Sequence, residues 1–141
     1  MGSEAAFEAL FAESIPLLAQ MKLRVVEVSA ERACVQLPIA GNGNDKGTLF
    51  AGAAYSALVI AGWILVMHRA RLSGFRAPWA AIVDAHCHYA QAIRADALAE
   101  ATFAEPPTLV PGARNWPKVQ VCIGQAVCFE GTYACGERKA P

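Results

Sequence analysis

Along this chain the period of apolar and polar positions changes several times, and the changes divide it into elements. After Ser3, which suits a helix N-cap, the run Glu4 to Phe11 places Phe7, Leu10 and Phe11 on one helical face and predicts a helix to about Ser14. Pro16 interrupts it, and a further turn follows through Leu17 and Leu18. The runs Lys22–Val28 and Arg32–Ile39, on either side of a turn at Ser29–Glu31, predict a β-hairpin. Gly41 to Gly47 holds glycines and asparagines in alternation and predicts a loop. A long helix is expected over about Phe50 to Leu72, ended by Ser73-Gly74. Strands are expected at Trp79–Gln91, Ala97–Ala104, Val119–Ile123 and Ala126–Ala134. A proline-bounded loop lies at 106–112, and a tight turn at Gly124-Gln125 joins the last two strands. Strands grouped on both sides of one apolar helix, with no regular alternation of strand and helix, predict an α+β fold with an antiparallel sheet.

The long helix shapes the rest of the reading. From Gly47 to Met67 no residue is charged. A helix that is apolar all round is buried, in lipid or in protein. Its length satisfies a membrane span, and a small membrane-anchored protein is one reading. The segment is, however, rich in Ala and Gly, so its apolar side-chain area is modest, and the flanking strands need a layer to cover their apolar face. Small residues let a sheet lie close to the helix backbone. A protein-wrapped core helix is therefore the expected state.

Composition narrows the function classes. The 141 residues suit a single domain, 1–141, with one core. Apolar residues make up 55% and charged ones 17%, which excludes disorder and predicts that some surface is covered by a second copy of the chain. Lys plus Arg and Asp plus Glu balance at 12 each, and no basic run supports nucleic-acid binding. The five cysteines, Cys34, Cys87, Cys122, Cys128 and Cys135, lie in apolar, strand-like runs with no CxxC spacing. They are expected to be reduced core residues of a cytoplasmic protein. The acidic start, Met1-Gly2-Ser3-Glu4, does not resemble a signal peptide.

Two groups of residues carry candidate chemistry. The loop Asn42-Gly43-Asn44-Asp45-Lys46-Gly47-Thr48 runs into Phe50-Ala51-Gly52-Ala53, the expected first turn of the long helix. The first N–H groups of a helix lack internal acceptors and carry partial positive charge, so beside small residues they suit a ligand oxygen. Asp45 has the chemistry of a general base or nucleophile, and Asn44 that of a group orienting water or a carbonyl. Equally, Asn44 and Asp45 are ordinary turn residues and Gly52 an ordinary packing residue. The second group, Asp84, His86 and His88, alternates along one strand and so shares a face. With no fourth ligand in view, no metal site is assigned, and histidines on a solvent or interface face of a strand are common.

The segment Asn44-Asp45-Lys46-Gly47-Thr48-Leu49-Phe50-Ala51-Gly52, entering a long apolar helix, resembles the hot-dog fold thioesterases. The chain is most similar to the thioesterase domain that also occurs fused behind acetyltransferase-like domains, at Gly47 to Gly52, Tyr55-Ser56, Ala61-Gly62-Trp63 and Phe129-Glu130-Gly131-Thr132-Tyr133. The resemblance implies a sheet wrapped around one central helix, a homodimer or homotetramer whose strand after that helix pairs across the dimer, and hydrolysis of an acyl thioester, with coenzyme A present as part of the substrate and no separate cofactor. By the same resemblance Gly52, with Ala51, polarises the carbonyl, Asp45 activates water or attacks, and Asn44 orients. Phe50 and Tyr55 are candidates to line an acyl pocket, with plain packing an equal reading, and Ser56 is a candidate to hold a water. Arg69, Arg71, Arg94 and Lys118 are candidates for the coenzyme A phosphates, although solvated surface charge explains them as simply. One departure matters. Many relatives carry an acid two turns into the helix, where this chain has Val59 or Ile60, so a domain that binds acyl thioesters without cleaving them is the alternative.

Overall fold

The computed structural model describes residues 2–139. Helix α1, Ser3–Ser14, and the short α2, Pro16–Gln20, lead into strands β1, Arg24–Val28, and β2, Arg32–Leu37. Helix α3, Ala51–Leu72, follows, then β3, Pro78–Tyr89, β4, Ala97–Phe103, β5, Lys118–Ile123, and β6, Val127–Glu137. The six strands form one antiparallel sheet in the order β1-β2-β4-β5-β6-β3. It curls around α3, which packs on every strand. The α+β architecture expected from the sequence is the one formed.

Period-two alternation decides which face each strand buries. Val119, Val121, Ile123, Val127 and Phe129 point inward and are buried, as are Ala97, Ala99 and Ala101 of β4. Alanines on β4 and on α3 (Ala54, Ala57, Ala61) let the two backbones approach, as the small-residue composition predicts. Among the described residues α3 is the one helix long and apolar enough to cross a membrane, and here it is the rod at the centre of the core. Phe7 and Phe11 of α1 are buried against the same core, with the Phe7 ring edge-on to Trp63 of α3.

Several local details depart from the sequence reading. Ser3 opens α1 instead of capping it; Gly2 is the N-cap, and no side chain caps that end. Strand β1 starts at Arg24 because Lys22 is held at φ 57°, with Leu23 N–H bonded back to Leu18 O. β2 stops before Pro38, which has no N–H to offer the ladder. β6 runs on to Glu137, because β3 supplies partners as far as Pro78. The cysteines are not uniformly core. Cys34 and Cys135 are buried, Cys87 and Cys122 are half-buried, and Cys128 is exposed, since it alternates out of β6 between the inward Val127 and Phe129. All five thiols are free.

Candidate active site at the start of helix α3

The loop before α3 folds back on itself. Gly43 bridges Leu49, Asn44 N–H donates to Thr48 O, and Gly47 N–H donates to Asn44 O. The Asn44 side chain closes the turn. Its Oδ1 accepts from Lys46 N–H and Thr48 N–H at 2.9 and 3.1 Å, and its amide donates to Thr48 Oγ1 at 2.8 Å. Gly47 sits at φ 74°, which a side chain would strain. Both sides of the loop are tied down. Leu49 N–H donates to Ile93 O, and Phe50 N–H to Asn42 O. The Asn42 amide is itself buried and donates to Met21 O and Pro38 O.

These ties aim the first turn of α3 outward. Phe50 is the N-cap in extended conformation, and no side chain caps this end. Ala54 N–H reaches Phe50 O, which leaves the N–H groups of Ala51, Gly52 and Ala53 without an acceptor among the described residues. The Phe50 ring, 55% exposed, lies over Gly52, where a Cβ would meet it at 2.5 Å.

Two cavities flank this turn. The larger, about 460 Å³, has Gly52, Ala53 and Ser56 on one wall, Leu17 and Met21 of the α2 segment on another, and the loop at Gly41–Gly43 above. The smaller, about 300 Å³, lies between Asn44, Ala51 and Ala54 on one side and Tyr89 with the following residues to Ile93 on the other. No carboxylate lines either one among the described residues.

The structure therefore groups Phe50, Gly52 and Ser56 in one cavity, and Asn44 and Ala51 in the other. Tyr55 stands on the exposed side of α3, edge-on to Phe129. The Ser56 hydroxyl donates back to Gly52 O at 3.0 Å, which fixes its direction. Asp45 lies at the loop tip with its side chain 84% exposed, 3.1 Å from Lys46 Nζ, and lines neither cavity. Of the basic candidates, Arg69 donates to Ala30 O and stacks over Phe103, and Arg71 stacks over Phe7; both are engaged in the fold. Asp84, His86 and His88 are exposed on the outer face of β3, and no cluster of metal ligands occurs among the described residues.

Some residues have roles here that sequence reasoning does not reach. Tyr89, at the end of β3, donates from its hydroxyl to Ala51 O at 3.0 Å and so holds the turn from the side of the smaller cavity. Burial, reinforced by Cys87 and Tyr55, pushes this phenol up to about 12. Met21 and Leu17 form a wall of the larger cavity only because the Asn42 amide ties their segment to the loop. Neither link leaves a local signal, since each joins segments far apart in the chain.

Residues 4–136 match the family described as "Putative thioesterase (yiiD_Cterm)". The chain belongs to that family. Solved structures agree on the architecture. A Shewanella oneidensis protein described as a "putative thioesterase" superposes with TM-score 0.81 at 21% identity, over 94% of this chain and 96% of that one. A Haemophilus influenzae thioesterase superposes with TM-score 0.75 at 9% identity, over 96% and 91%. A mutant Pseudomonas aeruginosa thioesterase gives 0.72 at 12% identity, over 94% and 92%. The shared fold is the hot-dog fold.

Proposed function

We propose that this family member hydrolyses an acyl thioester, with acyl-coenzyme A as the substrate, at the start of α3 in a homodimer. The observation that carries the reading is the uncapped first turn of α3, floored by small residues and open to cavities on both sides. A thioester carbonyl oxygen placed there accepts from Gly52 N–H and a neighbouring amide of the turn. Those donors strengthen as the oxygen gains negative charge in the tetrahedral intermediate, an effect worth about 10²–10³ in rate per donor. Asn44, one N–H of whose amide is uncommitted among the described residues, orients the carbonyl or the attacking water. Asp45 takes the proton from that water. The thiolate then leaves without needing an acid, so no metal or cofactor is called for.

Asp45 acquires a substrate in this scheme only if the loop tip faces a second subunit. Two features support that assembly. β3 is twelve residues long and pairs only with β6, which leaves its other edge open among the described residues. Beside it Tyr55, Val59 and Trp63 form a partly exposed apolar stripe on α3. A second copy, pairing β3 with β3, covers both.

The absence of a carboxylate from either cavity favours one other reading, an acyl-thioester binding domain without turnover. One experiment separates the two. Purified protein is assayed against acyl-coenzyme A of graded chain length, with binding of a non-hydrolysable thioether analogue measured in parallel. Turnover in the wild type that falls by about 10²-fold or more in Asp45→Asn, with analogue binding kept, is the expected result. Binding without turnover establishes the alternative. Undiminished turnover in Asp45→Asn removes Asp45 from the mechanism.

A further inference from the structure

The outer face of the sheet carries a row of side chains that the α3 site does not use. Register places Cys34 opposite Glu100, Glu100 opposite Cys122, Cys122 opposite Cys128, and Cys128 opposite His88. At the centre of the row Cys122 Sγ and Cys128 Sγ are 3.4 Å apart across the β5–β6 hairpin. Directly opposed residues on antiparallel strands have Cα atoms about 4.5 or 5.5 Å apart, depending on the pair type, and both distances lie within the range that a disulfide spans. Bond formation therefore needs side-chain rotation of little more than an ångström and no shift of register. The other thiols are poorly placed to compete. Cys34 is buried beneath Arg32, Cys135 lies in the core, and Cys87 is carried on the opposite face of β3.

We infer that Cys122 and Cys128 form a peroxide-sensitive dithiol, in which the exposed Cys128 is oxidised first and Cys122 closes a reversible cross-strand disulfide. Exposure and neighbours set the order. Cys128 is open to solvent, whereas Cys122 is half-buried and faces the Glu100 carboxylate. In the first step the Cys128 thiolate attacks hydrogen peroxide. The O–O bond breaks, an S–O bond forms, and water leaves after taking up the thiol proton, giving a sulfenic acid. In the second step the Cys122 thiolate attacks the Cys128 sulfur. The S–O bond breaks, an S–S bond forms, and a second water leaves. Two thiols lose two electrons and two protons in all, and the peroxide accepts them. Burial, followed by the Cys128 thiol and the Glu100 charge, pushes the Cys122 thiol up to about 11, so the first attack on peroxide falls to Cys128. The product staples the hairpin whose Val127 lines the smaller cavity beside α3.

The test is peptide mapping of the intact folded protein after hydrogen peroxide, with catalase quench and alkylation. The tryptic segment 119–138 contains Cys122, Cys128 and Cys135. The expected product is that segment two hydrogens lighter, alkylated only at Cys135 and restored by dithiothreitol. In Cys122→Ser, dimedone should trap a sulfenic acid at Cys128. In Cys128→Ser, oxidation at Cys122 should be at least tenfold slower. The proposal fails if wild-type Cys128 proceeds to sulfinic acid while Cys122 stays alkylatable, or if Cys128 links instead to another cysteine or another copy. The wild-type map decides the matter even if a variant does not fold.

Discussion

Gly62 shows how one side chain's absence organises the core. A Cβ there would meet Tyr133 Oη at 2.5 Å and Val119 Cγ2 at 2.9 Å. That vacancy lets the buried Tyr133 hydroxyl reach Val59 O, 2.6 Å away, and so lock β6 to the middle of α3. Burial, with Tyr55 nearby, raises this phenol well above its ordinary value, so it stays a donor at physiological pH. Gly62→Ala improves helix propensity by up to about 1 kcal/mol and overpacks the core at a cost of about 1–3 kcal/mol. Because the blocking atoms are a buried ring and a strand side chain, the overpacking wins, and urea denaturation should show a net loss of roughly 1–2 kcal/mol. Tyr133→Phe alone should cost about 1 kcal/mol. The pair should be non-additive by at least about 0.5 kcal/mol, Gly62→Ala being milder when the hydroxyl is gone. Strict additivity would show that the two residues do not meet.

The two edges of the sheet are managed in opposite ways. At β1, glutamates from α1 supply the missing acceptors: Val25 N–H donates to Glu8 Oε1 at 2.8 Å, and Val28 N–H to Glu4 Oε1 at 3.1 Å. A bulge between Val25 and Glu27 further spoils that edge for pairing. Glu8 also meets Arg24 Nε at 3.0 Å, but Arg24 is largely exposed and the pair adds little. Glu8→Ala should therefore lower stability by about 1 kcal/mol, nearly all from the orphaned amide. Amide exchange at Val25 should accelerate, whereas Glu8→Gln, which keeps an acceptor oxygen, should retain most of the protection. Equal losses in the two variants, with Val25 protection unchanged, would show that the glutamate does not close this edge. Among the described residues β3 has no such plug, and its bulge at Val83 leaves that side chain 56% exposed.

For the molecule as a whole, that asymmetry leaves one face unfinished. The open β3 edge carries the exposed Val83 and Tyr89, and Tyr89 also lines the cavity beside Ala51 and bonds to that residue. If a second copy completes this face, light scattering should give twice the chain mass for the wild type. Val83→Lys should then shift it toward monomer, since burying an unpaired ammonium is costly. Turnover should fall with the dimer and return as protein concentration rises. A monomeric wild type with full turnover would place the whole site within one chain.

The fold was legible because its signals are local. An uncharged run of helical length, strands on both sides with period-two alternation, and Gly/Pro punctuation define a sheet that must wrap that helix. The position of the α3 start and the small residues on it, Ala51 and Gly52, could be read in the same way. The arrangement of the site could not. Whether the Asn44 amide turns toward a ligand or closes its own loop is decided by bonds to Lys46 and Thr48, and the placing of Asp45 at the exposed tip follows from that closure. Tyr89 and Met21 join the site only through long-range hydrogen bonds, and the pairing of Cys122 with Cys128 rests on the register of the β5–β6 hairpin. Period and propensity fix which face a side chain takes, because they depend on the backbone of a few residues. Which faces meet depends on how distant segments pack, and the tertiary structure alone determined that.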